Sequence, residues 1–383
     1  MKSLEKSSEK FVSWFCQHAL PVWIENGYNH SQGGFYEALD FNASPIVGKP
    51  RRVRSQARQI HSFTQAGLHN WNKDAESLAA KGFEYFTTTA CPDMGKRGCA
   101  HLITDTGEII DDQRDLYDQA FLLLACASRW EAAKDDNARI LADNTISFME
   151  DELRGENGGW LENCRFELPR RQNPHMHLFE AFTALFRVTG DERYLSYADQ
   201  IFDLFRVRFF DKKHSVIREF FDASWALDPS AYIVEPGHML EWVSLLTAYD
   251  TFRESKSSDI CAELYDTAIT IGSDQNFYGF VDNKCDLRGP IVHSAKRLWP
   301  QTEFLRASLI MASRNHNDAS EHAASIIESF FQTYLNVKHH GLWIDEFDAD
   351  GRPISDNVPA SILYHIIEAV IAVDNFQREG QTK

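Results

Sequence analysis

Two kinds of helical pattern alternate along the chain. One kind is amphipathic with a charged face, as in "DAESLAAKGFEYFTTT", "NARILADNTISFMEDEL", "YLSYADQIFDLFRVRFF" and "DASEHAASIIESFFQTYL". The other kind is apolar on nearly every side, as in "QAFLLLACASRW", "MHLFEAFTALFRVT", "MLEWVSLLTAY" and "SILYHIIEAVIAV". A helix with a polar stripe can cover an outer surface, whereas a helix without one has to be enclosed by protein. With "LEKSSEKFVSWFCQHALPVW" and "ARQIHSFTQAGLHNW" as the first pair, the pattern predicts six outer and six inner helices.

Short segments that combine glycine with aromatic or apolar residues separate these helix pairs. Their anchors lie at Gly33, Gly98, Gly158, Ile217, Gly279 and Gly341, with intervals of 65, 60, 59, 62 and 62 residues. Each helix pair can bury its apolar face only against a neighbouring pair. We therefore expect an all-α (α/α)6 barrel with short β segments in its loops, formed as one catalytic domain by residues 1–383. An open solenoid is the alternative, but it would need polar terminal pairs, and neither terminal pair is more polar than the rest.

A polar residue stands near the start of every predicted inner helix. The positions at this phase are Arg58, Asp118, His177, His238, Glu303 and His365, with intervals of 60, 59, 61, 65 and 62 residues. The inner helices of such a barrel all run in the same direction, so their N-terminal ends meet at one end of the barrel. We therefore predict that these residues line one pocket. The predicted pocket also includes neighbours on the same helices, namely Tyr117, Asn173, Glu241 and Trp299.

Each of these residues also has a purely structural interpretation. A single histidine on an apolar helix is usually a hydrogen-bonded core residue. Arg58 could form a structural ion pair with Asp118, and Glu241 could stabilise the start of its own helix. His175 and His177 in "HMH" suggest a metal site, but residues two apart on a helix do not share a face. The common phase of the six positions favours a functional site, and we expect no bound metal there.

The composition narrows the classes of partner. With 39 basic and 56 acidic residues, the 383-residue chain carries a net charge of −17 at pH 7. Such a surface repels nucleic acid and anionic membranes. Seven cysteines without a CxxC pair are typical of reduced thiols. The N-terminal segment has no signal-peptide core, and the apolar runs are too short to cross a bilayer. We expect a cytoplasmic protein with a small-molecule partner, and assembly into a homo-oligomer is left open.

The residue types in the predicted pocket favour proton transfer on a neutral sugar. The sequence contains no GxGxxG stretch, no P-loop and no cluster of lysine and arginine suited to phosphate, so we expect no cofactor. A histidine can take and return a proton at neutral pH, and Arg58 could stabilise the enediolate oxygen that forms. Glu241, one helical turn after His238, could orient that imidazole or bind sugar hydroxyls. The rings of Trp299 and Trp242 suit the apolar face of a pyranose.

Four stretches, "SQARQIHSF", "NPHMHLFEA", "PGHMLEW" and "KRLWPQTE", resemble motifs of the N-acylglucosamine 2-epimerase superfamily. They occur in the order of the family and span nearly the whole chain. The resemblance implies the (α/α)6 barrel and an enzyme that opens a sugar ring, removes the proton at carbon 2 and passes through a cis-enediolate. An isomerase of this family delivers the proton to carbon 1 and yields a ketose, whereas an epimerase returns it to the opposite face of carbon 2.

The resemblance also implies roles for individual residues. His238 and His365 match the general acid and base of the family, and Arg58 matches the arginine beside the carbon-1 and carbon-2 oxygens. Sugar-binding positions are matched by Asn173, His177, Glu241, Trp299 and Glu303. We expect His365 to assist ring opening and His238 to move the proton between carbons, with shared or reversed roles as the alternative.

Chain length and the motif "RSQARQIHSF" favour a metal-independent mannose isomerase that converts D-mannose to D-fructose. The alternatives in the same fold are 2-epimerases of N-acylglucosamine, mannose or cellobiose, and sulfoquinovose isomerase, whose sulfonate would need a further cation such as Arg54. An inverting glycosidase, whose two carboxyl groups about 6.5–9.5 Å apart could come from Glu241, Glu303 and Asp118, is an alternative of another class. A second alternative of another class is a protein that binds a sugar without converting it.

Overall fold

Helices make up most of the described chain. The structure is a computed structural model that describes residues 2–228, 232–288 and 294–381. Its α-helices are α1 (Lys2–Trp14), α2 (Leu20–Asn26), α3 (Val53–Leu68), α4 (Ala75–Thr89), α5 (Leu116–Ala133), α6 (Asp136–Glu152), α7 (Gln172–Thr189), α8 (Glu192–Leu204), α9 (Pro236–Asp250), α10 (Ser258–Gly272), α11 (Leu298–Ser313), α12 (Ala319–Gln332) and α13 (Leu363–Gln381). A π-helical turn, Phe15–Ala19, joins α1 to α2, and a second one, Phe205–Phe209, extends α8. A 3-10 turn, Ala360–Ile362, leads into α13.

The helices α3, α5, α7, α9, α11 and α13 form an inner ring. Each of them contacts the next one along the chain, and α13 returns to contact α3, so the ring closes. The helices α4, α6, α8, α10 and α12 each pack against the inner helix that precedes them, while α1 contacts α12 and α13 to complete the outer layer. The fold is therefore the expected all-α (α/α)6 barrel, and the closed ring excludes the open solenoid.

The burial of individual helices follows the alternation of the sequence pattern. In the inner helix α9, every residue from Pro236 to Leu246 is buried. In the outer helix α4, the buried positions recur every three or four residues and form one face: Ala75, Leu78, Ala79, Gly82, Phe83 and Phe86. Full burial of a large apolar side chain contributes about 1.5–3 kcal/mol. An outer helix gains this stabilisation through one face, whereas an inner helix is surrounded by apolar contacts.

Short antiparallel strands border the end of the barrel at which the inner helices begin. They are β1 (Ala38–Leu39), β2 (Arg51–Arg52), β3 (Leu102–Ile103), β4 (Ile109–Asp111), β5 (Arg170–Arg171), β6 (Phe210–Asp211), β7 (Val216–Ile217), β8 (Phe220–Phe221), β9 (Ile233–Val234), β10 (Ser273–Asp274), β11 (Phe280–Val281), β12 (Cys285–Asp286), β13 (Lys296–Arg297), β14 (Glu346–Phe347) and β15 (Val358–Pro359). The pairs are β2–β3–β4, β5–β8, β6–β7, β9–β12, β10–β11, β13–β14 and β1–β15. In the last pair, Ala38 lies opposite Pro359, so the first and last repeats are joined through their backbones.

Each repeated segment contains a residue with positive φ, which explains the glycine in five of the six copies. These residues are Gly34, Gly98, Gly159, Ser215, Gly279 and Gly341. The residue that follows is fully buried in every copy: Phe35, Cys99, Trp160, Val216, Phe280 and Leu342. At Gly34 a Cβ atom would lie 2.4 Å from Cε1 of Tyr85, so a side chain does not fit. The fourth copy, which has no glycine, places Ser215 at this point with a φ of 51°.

Two further expectations concern membranes and cysteines. No helix within the three described ranges is long and apolar enough to cross a membrane. All seven cysteines are free, in agreement with the expected reduced thiols. Burial raises the pKa of the Cys126 thiol well above its usual value, so this thiol stays protonated.

Candidate active site

The first turns of the inner helices bring the two distant histidines of the predicted pocket together. Between ring centroids, Trp299 lies 5.1 Å from His238 and 5.5 Å from His365. The two imidazoles, which belong to α9 and α13, therefore both contact one half-buried indole. Their residues are 5% and 4% exposed, so both histidines are almost enclosed but keep some accessible surface.

His238 lies between two carboxylates. Its Nδ1 is 3.1 Å from both carboxylate oxygens of Glu219 and 3.6 Å from Oε2 of Glu235. Burial lowers the pKa of His238, but the negative charges of Glu219 and Glu235 outweigh this effect and raise the pKa to about 10. His238 is therefore protonated at neutral pH and can act as an acid.

Glu219 orients the His238 ring, which is the role that the sequence analysis considered for Glu241. Glu219 itself was not among the predicted site residues. Gln172 donates a hydrogen bond from Nε2 to Oε2 of Glu219 over 3.0 Å, and Trp242 donates from Nε1 to Oε1 of Gln172 over 2.9 Å. This chain of donors fixes the carboxylate of Glu219 toward the imidazole. Trp242 is fully buried in this role, so the expectation that its ring supports a sugar is wrong.

A signal in the repeats could have identified Glu219. In four repeats, an acidic residue three or four positions after the positive-φ residue pairs with a basic side chain at the start of the inner helix that follows. These pairs are Glu37–Arg52, Glu162–Arg171, Glu219–His238 and Asp282–Lys296. In the second repeat the charges are exchanged, since His101 pairs with Asp118. The acidic position of this recurring pair is therefore the signal that points to Glu219, although His238 stands further into its helix than Arg52 and Arg171 do.

His365 has the opposite electrostatic surroundings. Its Nδ1 lies 2.9 Å from Oε1 of Glu303, whose other oxygen accepts a hydrogen bond from Arg306 over 2.7 Å. Burial lowers the pKa of His365 well below its usual value, and the positive charges of Arg58 and Arg306 lower it further. His365 is therefore neutral at neutral pH, and its Nε2 can accept a proton. His238 is thus able to donate a proton, and His365 is able to accept one.

Glu241 and Glu303 form a close pair of buried carboxyl groups. Oxygens of both side chains and a ring nitrogen of His365 lie within 4.8 Å of one another. Burial raises the pKa of Glu303 to about 7, and burial together with the charge of Glu303 raises the pKa of Glu241. Oε1 of Glu241 has no hydrogen-bond partner among the described residues, so it is available to a ligand hydroxyl. These three residues are also the set that could hold a metal ion in the described chain, and the metal-free site stays a prediction.

Arg58 is a buried cation that lacks a carboxylate partner among the described residues. Its Nη2 donates a hydrogen bond to the Tyr117 hydroxyl over 2.7 Å, and its guanidinium lies 4.1 Å from the centre of the Phe121 ring. The ion pair considered for Asp118 is formed by Arg54 instead, and Asp118 is fully buried outside the pocket. A buried charge without a counter-ion is costly unless an anionic oxygen of a ligand meets it. Arg58 is therefore suited to an enediolate oxygen.

The remaining sugar-binding candidates lie on α7. The side-chain amide of Asn173 is 3.1 Å from Nε2 of His238. Nδ1 of His177 lies 2.9 Å from Oε2 of Glu180, and its Nε2 lies 3.8 Å from Oε1 of Glu241. Burial lowers the pKa of His177, so this ring is neutral at neutral pH. Asn173 and His177 thus contribute polar groups beside His238 and Glu241.

His175, the other histidine of the "HMH" doublet, is a structural residue. Its Nε2 accepts a hydrogen bond from the backbone N–H of Trp160 over 3.0 Å. Burial lowers the pKa of His175 to about 3, so the ring stays neutral. Because His175 and His177 contact different partners, the doublet does not form a shared metal site.

Known proteins resemble this chain over nearly its whole length. The sequence matches the family described as N-acylglucosamine 2-epimerase (GlcNAc 2-epimerase) over residues 34–369. A mannose-6-phosphate isomerase of Rhizobium meliloti (strain 1021) is 33% identical over 386 residues, which cover 96% of each chain. A D-mannose isomerase of Thermobifida fusca is 27% identical over 85% of this chain and 84% of the relative. The structure of a cellobiose 2-epimerase from Spirochaeta thermophila DSM 6192 has a TM-score of 0.89 at 21% identity, covers 100% of this chain and 99% of that chain, and has the same fold.

Proposed function

The chain belongs to the N-acylglucosamine 2-epimerase family, and from this premise we propose that it converts D-mannose to D-fructose. Membership makes it a sugar isomerase or 2-epimerase. The observation that carries the finer proposal is the pair of histidines that contact Trp299, of which His238 has a raised pKa and His365 a lowered pKa. Relatives named as isomerases of D-mannose and of mannose 6-phosphate support the mannose configuration and the isomerase outcome.

The first step of the proposed mechanism opens the sugar ring. His238 gives its proton to the ring oxygen, while the neutral His365 takes the proton of the hydroxyl on carbon 1. The bond between carbon 1 and the ring oxygen breaks, and carbon 1 becomes an aldehyde. Ring opening exchanges the charges of the two histidines, so His238 is left neutral and His365 is left protonated.

The second step moves a proton from carbon 2 to carbon 1. Neutral His238, with its Nδ1–H held by Glu219, removes the proton from carbon 2 through Nε2. Arg58 stabilises the negative charge that develops on the oxygens of the cis-enediolate. His365 gives the proton that it gained in the first step to the carbon-1 oxygen and takes the proton of the carbon-2 hydroxyl, and His238 returns its proton to carbon 1. The product is the open-chain ketose, and ring closure, the reverse of the first step, leaves His238 protonated and His365 neutral again.

Product analysis in heavy water tests the proposed reaction. D-Mannose incubated with the purified protein should give fructose that carries deuterium at carbon 1 in part, because a protonated imidazole exchanges its proton with solvent. An NMR time course shows both the product and the position of the label. Glucose or talose as the sole product would contradict the isomerase, and preferred turnover of N-acetylglucosamine or cellobiose would contradict the substrate. Activity lost to a chelator and restored by a divalent ion would contradict the metal-free site.

Glu219→Gln tests the proposed state of His238 through the pH profile of kcat/KM. The active free enzyme has His238 protonated, so activity is lost as the pH rises through the pKa of about 10. Without the charge of Glu219, burial dominates and the pKa falls. We expect the alkaline limb to move down by about 1–3 pH units. Glu37→Gln, which changes the acidic residue of the repeated pair in the first repeat, should leave the limb in place because Glu37 pairs with Arg52. A lower rate with an unshifted limb would make Glu219 a structural residue only.

An inverting glycosidase is less compatible with the carboxyl groups of the site. Oxygens of Glu241 and Glu303 lie within 4.8 Å, whereas inverting enzymes separate their two carboxyl groups by about 6.5–9.5 Å. Release of phenol from an aryl mannoside would nevertheless contradict the proposed isomerase. Binding of mannose without any turnover would favour a sugar-binding protein.

Mannose 6-phosphate is the second candidate substrate. The observation in its favour is the relative at 33% identity, which is named for that sugar phosphate. The reacting carbons 1 and 2 are the same in both substrates, so the same acid and base would act. The two substrates differ at carbon 6, the end of the sugar farthest from the chemistry.

A further inference from the structure

A second arginine, Arg54, lies beside the pocket. It precedes Arg58 by one turn of α3, toward the mouth of the barrel, which is the end where the inner helices begin. The centre of the Tyr117 ring is 5.7 Å from the guanidinium of Arg54 and 5.5 Å from that of Arg58. One helical turn rises about 5.4 Å, so Arg54 lies that much nearer the mouth than the arginine assigned to the reacting oxygens.

Arg54 is only loosely paired with a carboxylate. Its Nη1 is 3.4 Å from Oδ1 of Asp118, while the other oxygen of Asp118 lies 2.5 Å from Nδ1 of His101. The hydrogen bond to Asp118 raises the pKa of His101, so the fully buried carboxylate is shared between two basic groups. The side chain of Arg54 is 21% exposed, and its Nη2 has no hydrogen-bond acceptor among the described residues. Arg54 can therefore bind a further anion.

Arg171 approaches the same place from α7. It is the residue directly before that helix, and its Nε lies 2.6 Å from Oε2 of Glu162. Its Nη2 reaches Asp115 only at 4.0 Å, and its side chain is 40% exposed. Burial raises the pKa of Asp115, and the charges of Arg171 and Arg54 both oppose that rise. Arg171 thus lies 4.0 Å from Asp115, and Arg54 lies 3.4 Å from Asp118, three residues further along. Both guanidinium groups therefore lie at the start of α5, the helix between α3 and α7 in the ring.

We propose that Arg54 and Arg171 form a subsite for a phosphate group on carbon 6 of the sugar, so that the preferred substrate is a hexose 6-phosphate. This inference rests on the proposed isomerase function and names its substrate class. A phosphate monoester carries a charge of about −1.5 to −2 at neutral pH, which two guanidinium groups can match through paired hydrogen bonds. The sequence has no local cluster of basic residues, but the barrel places these two arginines at the start of α5 from distant parts of the chain.

The subsite lies where carbon 6 of the sugar is expected when carbons 1 and 2 lie beside the two histidines. The chemistry takes place beside Arg58 and the two histidines, and carbon 6 of an opened hexose extends away from it. One helical turn toward the mouth is comparable with the length of the chain from carbon 2 to carbon 6. The protein as a whole has a net charge of −17 and repels anions, so an anionic substrate depends on local cations for its binding.

The test compares kcat/KM for D-mannose 6-phosphate and D-mannose. The wild-type protein should prefer the phosphate. Arg54→Gln and Arg171→Gln should each lower kcat/KM for the phosphate by about 10- to 100-fold, mainly through KM, as expected for the loss of a charge-assisted hydrogen bond. The value for D-mannose should fall far less, so the ratio of the two values decreases.

Arg297→Gln is the matched control. Arg297 directly precedes the inner helix α11 on the opposite side of the ring, is 40% exposed and pairs with Asp345 at 3.0 Å. This substitution should leave the substrate ratio unchanged. Equal loss of the ratio in Arg297→Gln would show a general effect of charge, and it would overturn the subsite.

The subsite and the isomerase fail in different ways. The subsite is wrong, and the isomerase stands, if D-mannose is converted and kcat/KM for D-mannose 6-phosphate is no higher. The same conclusion follows if both substitutions lower kcat/KM equally for the two sugars. If neither sugar is converted, the proposed function is wrong. Broadening of the phosphorus NMR signal of mannose 6-phosphate then tests the subsite alone. Broadening by the wild type that is lost in both variants supports it, and any other pattern overturns it. Better turnover of a 6-sulfonated sugar would overturn the phosphate assignment.

Discussion

Replacing His238 with asparagine is expected to reduce kcat for D-mannose isomerisation by about 10²–10⁴-fold. The substitution removes the acid of ring opening and the base that attacks carbon 2, because the same imidazole serves both steps. The amide of asparagine can take the place of Nδ1, which lies 3.1 Å from Glu219, so the local hydrogen bond is kept. Initial rates of fructose formation under saturating mannose measure the effect.

The loss has to be separated from misfolding. Circular dichroism and the thermal midpoint of His238→Asn should remain close to those of the wild type. His69→Gln is the control, since His69 ends α3 at the opposite end of the barrel, 3.7 Å from Asp374. That variant should keep the wild-type kcat, whereas His365→Asn should lose activity as His238→Asn does. A wild-type rate in either pocket variant would mean that the replaced histidine does not transfer a proton in the reaction.

Replacing Arg58 with methionine is expected to lower kcat by about 10²–10³-fold while the protein becomes no less stable. Activity falls because no charge is left to stabilise the enediolate oxygens. Stability is kept because Arg58 is 7% exposed and has no carboxylate partner in the described chain, so its burial costs free energy that methionine does not. Steady-state kinetics and calorimetric unfolding measure the two effects on one sample.

Arg306 provides the contrasting case. Its guanidinium lies 2.7 Å from Glu303 and 3.2 Å from Glu368, and all three groups are buried or nearly so. Arg306→Met leaves these carboxyl groups without their cation and should cost about 3–5 kcal/mol of stability. If Arg58→Met destabilised the protein as much as Arg306→Met, Arg58 would be a structural ion-pair residue, which is the alternative considered from the sequence.

The barrel could be predicted because hydrophobic burial is periodic. The all-round burial of α9 and the single buried face of α4 both follow from their patterns of apolar residues. Two features that complete the ring were not visible in these patterns. The pairing of Ala38 with Pro359 joins strands of two residues, too short for a periodic signal, and Ser215 adopts a positive φ that glycine usually marks.

The candidate site could be predicted only in part. The repeat spacing of the polar residues correctly identifies the helix ends that form the site. It does not identify which residue at each helix end faces the pocket. Consecutive residues of a helix are turned by about 100°, so Tyr117 contacts Arg58 while Asp118 turns to Arg54 and His101. Long-range pairs of this kind depend on how neighbouring helices pack, which no local pattern specifies.

The amino-acid sequence by itself determined the alternation of enclosed and half-exposed helices, the length of the repeat and the helix ends on which the polar residues stand. These features depend on the local order of apolar and polar side chains. Only the three-dimensional arrangement shows that Glu219, rather than Glu241, holds His238, and that burial together with nearby positive charges keeps the His365 ring neutral. A pKa depends on burial and on charges a few Å away, and those charges come from residues far apart in the chain.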